Sequence, residues 1–314
     1  MKLPEKVDKF ANKIKRDNIS GAHKILSMTL DMLENLVSEY NKENLSNFIK
    51  IVCTKFFRAQ PTMAMLANYM ALIIKKAGEI SINQNNHIKI KNEVLNLISE
   101  LKRKNKIDIL KISEYTSNML KNKKNILTYS FSSTIFEAIK YQKNLGNQLT
   151  IYITESRPIC EGLIGAIEFS KMFNTKLYID AAIGHILKEE NIDVILIGAD
   201  SFTENKVVNK IGTLPIAITA QTFNVPVYVL AQSYKYYSGA NYNIPIMIEK
   251  KPSSEIYKSK DKNLTIENYY FDKTPIKFIT GIITELGEYN LNEQIALIKK
   301  TLPINILKYL YSTI

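Results

Sequence analysis

The chain has 314 residues, 46% of them hydrophobic, enough for a substantial core and, by length, for two domains. Lys and Arg exceed Asp and Glu by 42 − 30 = 12, but the lysines are scattered among Asn and Ile with no dense basic patch, so a nucleic-acid surface is not expected. Two distant cysteines (Cys53 and Cys160) and three histidines without ligand spacing argue against a disulfide framework or a metal site. The absence of a signal-like N-terminus or a membrane-length apolar run points to a soluble cytoplasmic protein that needs no cofactor.

In chain order, residues 4 to about 122 read as helices. Pro4 sits where the first helix starts, and Val7, Phe10, Ala11 and Ile14 recur at helical spacing. A break at Asn18–Ala22 precedes a helix from Lys24 to Tyr40, and Asn44–Phe57 gives a third. Arg58-Ala-Gln-Pro-Thr62 interrupts. Met63–Lys76 is an apolar helix whose methionines read as core filler. After a polar connector at Ser81–Asn86, a Lys-rich helical region runs from Ile88 to about Lys121, with a solvated turn expected at Lys102–Lys106.

From Asn125 the period changes. Ile126–Tyr129, Leu149–Ile153, Lys176–Ile179 and Asp193–Ile197 read as strands, separated by helices at Ser132–Leu145, Cys160–Phe173 and Ala181–Glu190. A further helix at Ile211–Phe223 leads to a strand at Val225–Leu230. Strands alternating with helices predict a doubly wound parallel sheet. The expected fold is therefore α/β: a helical domain over residues 1–122, then a Rossmann-like parallel-sheet domain over 123–314. Beyond Leu230 the pattern weakens, with an exposed excursion at Lys251–Asn263, a helical Ile276–Ile283 and one more helix at Asn290–Leu297.

The stretch Gly198–Thr213 stands out. It is expected as a loop leaving the C-terminal end of a buried strand and running into a helix, and it carries Asp200, Asn205, Asn209 and Lys210. Ligands of open α/β sheets bind at such places. A carboxylate, two amides and an ammonium suit a polyhydroxy or phosphorylated ligand, although the same spacing also fits a plain polar loop ahead of a capped helix.

The motifs taken together resemble a known family. Gly198-Ala-Asp200 with Asn205 and Val208-Asn-Lys-Ile-Gly-Thr213 carry most of the likeness. Thr154-Glu-Ser-Arg-Pro158 with Glu161-Gly162, then Asp180-Ala-Ala182, then Phe271-Asp-Lys-Thr-Pro275 with Thr284-Glu-Leu-Gly287, continue it. Ser20-Gly-Ala22 and Arg58-Ala-Gln-Pro-Thr62 add weaker matches. These are similar to the family that joins the alpha, beta and delta subunits of translation initiation factor 2B with two aldose–ketose isomerases, of methylthioribose 1-phosphate and of ribose 1,5-bisphosphate. The resemblance implies an N-terminal helical domain and a Rossmann-like C-terminal domain through which two copies pair. It also implies a sugar-phosphate or nucleoside-monophosphate ligand, and other initiation factor subunits as further partners. The ligand set it implies is Gly21, Ala22, Arg58, Arg157, Glu161, Asn209 and Lys210, with Asp200 as the catalytic carboxyl.

The chain departs from the isomerase pattern at several places. Ser130, in Thr128-Tyr-Ser-Phe131, stands where the resemblance places the isomerase thiol, and a serine hydroxyl is far less acidic than a thiol and needs an adjacent base. Ser20 stands where the isomerases carry a phosphate-binding arginine, Glu161 where they carry glutamine, and Lys206 where a glycine is usual. Cys160 belongs to another motif and reads as a packed helix-start residue. Arg157 and Arg58 suit bidentate phosphate binding, while Arg157 also fits an ion pair with Glu155 or Glu161. The expected function is a regulatory, alpha-subunit-like protein that keeps a ligand pocket. The alternative is an isomerase of ribose 1,5-bisphosphate type using Asp200 and Ser130, and a third reading pairs Glu161 with Asp200 as an acid and a base.

Overall fold

The helical spacing of the first part of the chain is realised as α1 (Glu5–Arg16), α2 (Ala22–Glu39), α3 (Leu45–Ala59), α4 (Ala64–Asn83) and α5 (His87–Met119). The computed structural model describes residues 3–17, 21–83, 86–287 and 290–314. Among these residues no helix is long and apolar enough to cross a membrane. The chain divides into two compact units, one of residues 1–107, 234–246 and 295–314, the other of 108–233 and 247–294.

In the first unit, α1 buries Val7, Phe10, Ala11 and Ile14, one face at helical spacing. Phe10 meets Phe56 of α3 edge to face at 5.1 Å. Met65, Ala67, Tyr69, Met70, Ala71 and Ile73 of α4 are fully buried, so the first half of this helix is buried on every face. Two late segments return to cover it. The end of the chain forms α10 (Leu291–Thr301) and α11 (Ile304–Tyr311), and the Tyr311 ring packs on Phe57 at 5.5 Å and Tyr237 at 4.7 Å. The Asn68 amide donates to the carbonyls of Tyr234 and Tyr236 at 2.7 and 2.9 Å. The run of tyrosines after Leu230, unassigned from its composition, is thus core, with Tyr236 and Tyr237 buried.

No turn interrupts α5 at Lys102–Lys106. That stretch holds no glycine or proline. Lys102 bridges Asp31 and Glu34 of α2 at 2.5 and 2.6 Å, and Asn105 is buried, so the lysine run is part of a continuous helix.

The second unit is built on a parallel sheet. Its strands are β1 (Asn125–Tyr129), β2 (Thr150–Thr154), β3 (Asn174–Tyr178) and β4 (Val194–Ile197). After the short strands β5 (Ser201–Phe202) and β6 (Lys206–Lys210) come β7 (Val227–Leu230), β8 (Phe271–Pro275) and β9 (Gly281–Ile283). Between them run α6 (Ser133–Asn144), α7 (Glu161–Ser170), α8 (Ile183–Glu189) and α9 (Thr213–Thr222). The six-stranded sheet has the order β3-β2-β1-β4-β7-β9, all neighbours parallel. Val194–Ile197 is buried on both faces, which explains its unbroken apolar run. Ile126, Ile151, Ile153, Val194 and Leu196 pack with Ile135, Ile139 and Phe169 in the core.

Two expectations are corrected here. Ile276–Ile283 is not helical: after a single 3-10 turn at Ile276–Phe278 it forms β9, whose β-branched Ile282 and Ile283 extend the sheet beside β7. Gly198–Thr213 is not a loop either. Ser201 and Phe202 pair antiparallel with Val208 and Val207, and β6 pairs in turn with β8. The partner strand lies far downstream, so local periodicity could not reveal it.

Candidate functional site

From β1 the chain steps outward to β2 and β3 on one side, and from β4 to β7 and β9 on the other. The order reverses between β1 and β4, and in parallel sheets the C-terminal side of such a point is where ligands are held. Ser130 leaves β1 there, and Gly198–Asp200 leaves β4. The two exits are close: a Cβ on Gly198 would come 2.9 Å from the Ser132 hydroxyl oxygen.

Left-handed backbone is concentrated at this edge. Ser130 (φ 64°), Ser156 (φ 63°) and Cys160 (φ 57°) adopt it without being glycine, at a cost of about 1 kcal/mol or more each that other contacts must offset. The Ser130 N–H donates to Ser156 Oγ at 2.9 Å. Asp180, just past β3, gathers the loop after β2: its Oδ1 accepts from the Thr154 hydroxyl (2.6 Å) and the Ser156 N–H (2.8 Å), and its Oδ2 from the Arg157 N–H (2.7 Å).

At the centre stands Glu161, the first residue of α7. Its Oε1 accepts from the Ser130 hydroxyl at 2.7 Å and from the Lys210 ammonium at 2.8 Å. The two charged side chains are only 10% and 6% exposed. Glu161 Oε2 is buried and has no hydrogen-bond partner among the described residues. Lys210 ends β6 and lies 4.7 Å over the Tyr270 ring, a contact favoured by the negative face of the aromatic. The neighbouring Asn209 amide donates to Thr213 Oγ1 at 3.0 Å, and that hydroxyl donates to the Lys210 carbonyl at 2.6 Å.

The start of α9 is held from β8. Asp272 Oδ2 accepts the N–H groups of Gly212 (2.8 Å) and Leu214 (3.1 Å), satisfying donors that a helix start leaves open. Gly212 has φ 105° and a Cβ there would lie 2.3 Å from the Tyr129 hydroxyl, so only glycine fits. The Tyr129 hydroxyl donates to the Ile211 carbonyl at 2.5 Å. Burial pushes the Tyr129 phenol up, and the charges of Asp180, Glu161 and Asp272 push it further. Burial, then Glu255, then Glu161 do the same to Tyr270. Both phenols stay neutral.

Burial raises Asp272 above the usual carboxylate value, opposed by the amide bonds from Leu214 and Gly212. A raised folded-state value means the native state binds the proton more readily than the unfolded chain. Stability from this group is therefore full below the ordinary carboxylate value and declines as pH rises through the folded value. Asp272→Asn is expected to remove that part of the slope in urea-unfolding stability against pH. An unchanged slope in the variant would assign the dependence to other groups.

The structure brings Ser130, Glu161 and Lys210 into direct contact and sets Asn209 beside them. Asp200 is half-buried, its N–H donating to the Val208 carbonyl at 2.9 Å. Asn205 sits in the turn between β5 and β6, its N–H donating to the Thr203 hydroxyl at 3.2 Å. The Arg157 side chain is exposed, and Glu161 pairs with Lys210 rather than with it. Cys160 precedes α7. Gly21, Ala22 and Arg58 belong to the first unit: Gly21 caps α2, Ala22 is buried, and Arg58 is exposed in the last turn of α3. Ser20 lies outside the described residues. Ser130 does have an adjacent base after all, the Glu161 carboxylate, which the sequence places thirty-one residues away. Sequence reasoning gave no role to Asp180, Asp272, Tyr129 or Tyr270. The one signal for Asp180 and Asp272 is their place inside the Asp180-Ala-Ala182 and Phe271-Asp-Lys-Thr-Pro275 motifs.

Residues 18–290 match the model of the Initiation factor 2 subunit family. A ribose 1,5-bisphosphate isomerase of Methanocaldococcus jannaschii is 30% identical over 88% of this chain and 88% of its own. A putative translation initiation factor eIF-2B subunit 2-like protein of Pyrococcus furiosus is 30% identical over 91% of this chain and 96% of its own. Among solved structures, the translation initiation factor eIF-2B of Pyrococcus horikoshii OT3 superposes with a TM-score of 0.76 at 27% identity, covering 93% of this chain and all of that one.

Proposed function

The chain belongs to the Initiation factor 2 subunit family, and from that premise we propose a regulatory, alpha-subunit-like protein that binds a sugar phosphate or nucleoside monophosphate at the β1–β4 edge without isomerising it. The observation that carries the reading is the Ser130–Glu161–Lys210 contact. An aldose–ketose isomerisation needs a group that both gives and takes a proton near neutral pH beside the reacting carbons. Ser130 offers an alcohol whose proton is directed at a carboxylate, and that carboxylate is matched by a buried ammonium. Neither is poised for the exchange that a thiol would perform. Asp200, Asn209 and Lys210 remain as polar groups that can hold a ligand.

The test is product NMR on purified protein with ribose 1,5-bisphosphate and methylthioribose 1-phosphate. The expected result is no turnover above an Asp200→Asn control, together with a raised melting temperature when ligand binds. Turnover above that control would overturn the reading. It would favour the second one, an isomerase of ribose 1,5-bisphosphate type in which Glu161 acts as base to Ser130, which the 2.7 Å contact supports. Ser130→Ala should then abolish turnover.

Pairing of two copies through the second unit is part of the proposal. Leu163, Ile164 and Ile167 of α7, and Leu177 and Ile179 at and beyond β3, are exposed apolar residues that such a contact would cover.

A further inference from the structure

The nearly buried centre of the site is a carboxylate, and that restricts what a ligand can present to it. Glu161 and Lys210 form one ion pair in a nearly closed environment, where neither charge can be left alone without a large penalty. The ammonium is already matched by Oε1 and flanked by the Tyr270 ring. Oε1 also takes the Ser130 hydroxyl. Oε2 is buried and takes nothing, and a buried carboxylate oxygen calls for a hydrogen-bond donor. A phosphate dianion brings only acceptors to that oxygen and like charge to the carboxylate itself. A hydroxyl or an amine brings the donor.

We infer that Glu161 is a specificity-determining residue that reads a ligand hydroxyl through Oε2 and refuses a second phosphate, so that the site takes a sugar monophosphate with one free hydroxyl end and not a sugar bisphosphate. The inference rests on the reading of this edge as a sugar-phosphate site. Arg157, exposed on the loop after β2, is left for the single phosphate. An uncharged residue in place of Glu161 would release Lys210 to pair with a second phosphate.

The experiment is titration calorimetry of the intact protein at fixed ionic strength with ribose 5-phosphate, adenosine monophosphate and ribose 1,5-bisphosphate. The two monophosphates, or either of them, are expected to bind at least about 10-fold tighter than the bisphosphate, the scale of a charged hydrogen bond gained or lost. Glu161→Gln keeps the size and removes the charge, and it should narrow or invert that ratio. A wild-type protein that binds the bisphosphate as tightly as ribose 5-phosphate overturns the inference while leaving the ligand site standing. So does a folded Glu161→Gln protein with an unchanged ratio. If none of the three compounds binds, the reading of the site falls and the inference with it. Should Glu161→Gln fail to fold by circular dichroism, the wild-type ratio alone decides.

Discussion

Lys210→Met is expected to destabilise the protein by about 3–5 kcal/mol, because it strands the Glu161 charge in a buried environment with only the Ser130 hydroxyl to answer it. Methionine keeps the length and most of the packing of the lysine stem, so the loss isolates the charge. The companion variant Glu161→Met/Lys210→Met should recover most of the loss, since an apolar pair of similar volume often replaces a buried ion pair at little cost. Urea unfolding of the two single variants and the double variant gives the coupling directly. A double variant whose loss equals the sum of the two single losses would mean that the two charges do not stabilise one another. The network would then be a set of neighbours, not a unit.

That network was only partly legible in the sequence. Glu161 and Lys210 were each singled out, Glu161 for standing where the resembling isomerases carry glutamine and Lys210 for its place after Asn209. Nothing in their spacing says that they touch. Contact depends on β6 crossing to the sheet's C-terminal edge, and β6 is held there by β8, more than sixty residues further on. The first four parallel strands and their helices were legible because each is a short apolar run between helical periods. β9 was not. It is three residues long, and its isoleucines fit a helix face as readily as a strand until Val229 and Leu230 are found beside them. The same limit hid the tyrosines of residues 234–237. A polar aromatic run reads as surface unless one knows that Asn68 takes its carbonyls and that Tyr311 covers its rings. Ser130 shows the limit on chemistry. Its neighbours in sequence hold no base, and the carboxylate that answers it arrives on another helix.

Gly162→Ala is the second substitution with a large expected effect, and it tests the placement of that helix. A Cβ on Gly162 would lie 1.8 Å from the Thr154 carbonyl oxygen and 2.9 Å from the Glu155 carbonyl carbon and oxygen. These are backbone atoms at the end of a central strand and cannot swing aside. The start of α7 would have to lift from β2, breaking the bond from the Gly162 N–H to the Glu155 carbonyl at 3.1 Å and carrying Glu161 away from both Ser130 and Lys210. The expected cost is roughly 3 kcal/mol or more, from overpacking together with a disrupted buried network. Gly184→Ala is the matched control. It lies inside α8 with open space around its Cβ position, so alanine there should be neutral or stabilise the protein by about 0.5–1 kcal/mol. A Gly162→Ala protein with wild-type urea midpoint and wild-type ligand affinity would show that α7 does not press on β2 as described. The position of Glu161, and with it the selection of one phosphate over two, would lose its support. A protein that folds at reduced stability and loses the preference for ribose 5-phosphate over the bisphosphate would instead tie that preference to the seating of the helix, because alanine at 162 leaves every charged group of the site in place chemically and changes only where Glu161 is held.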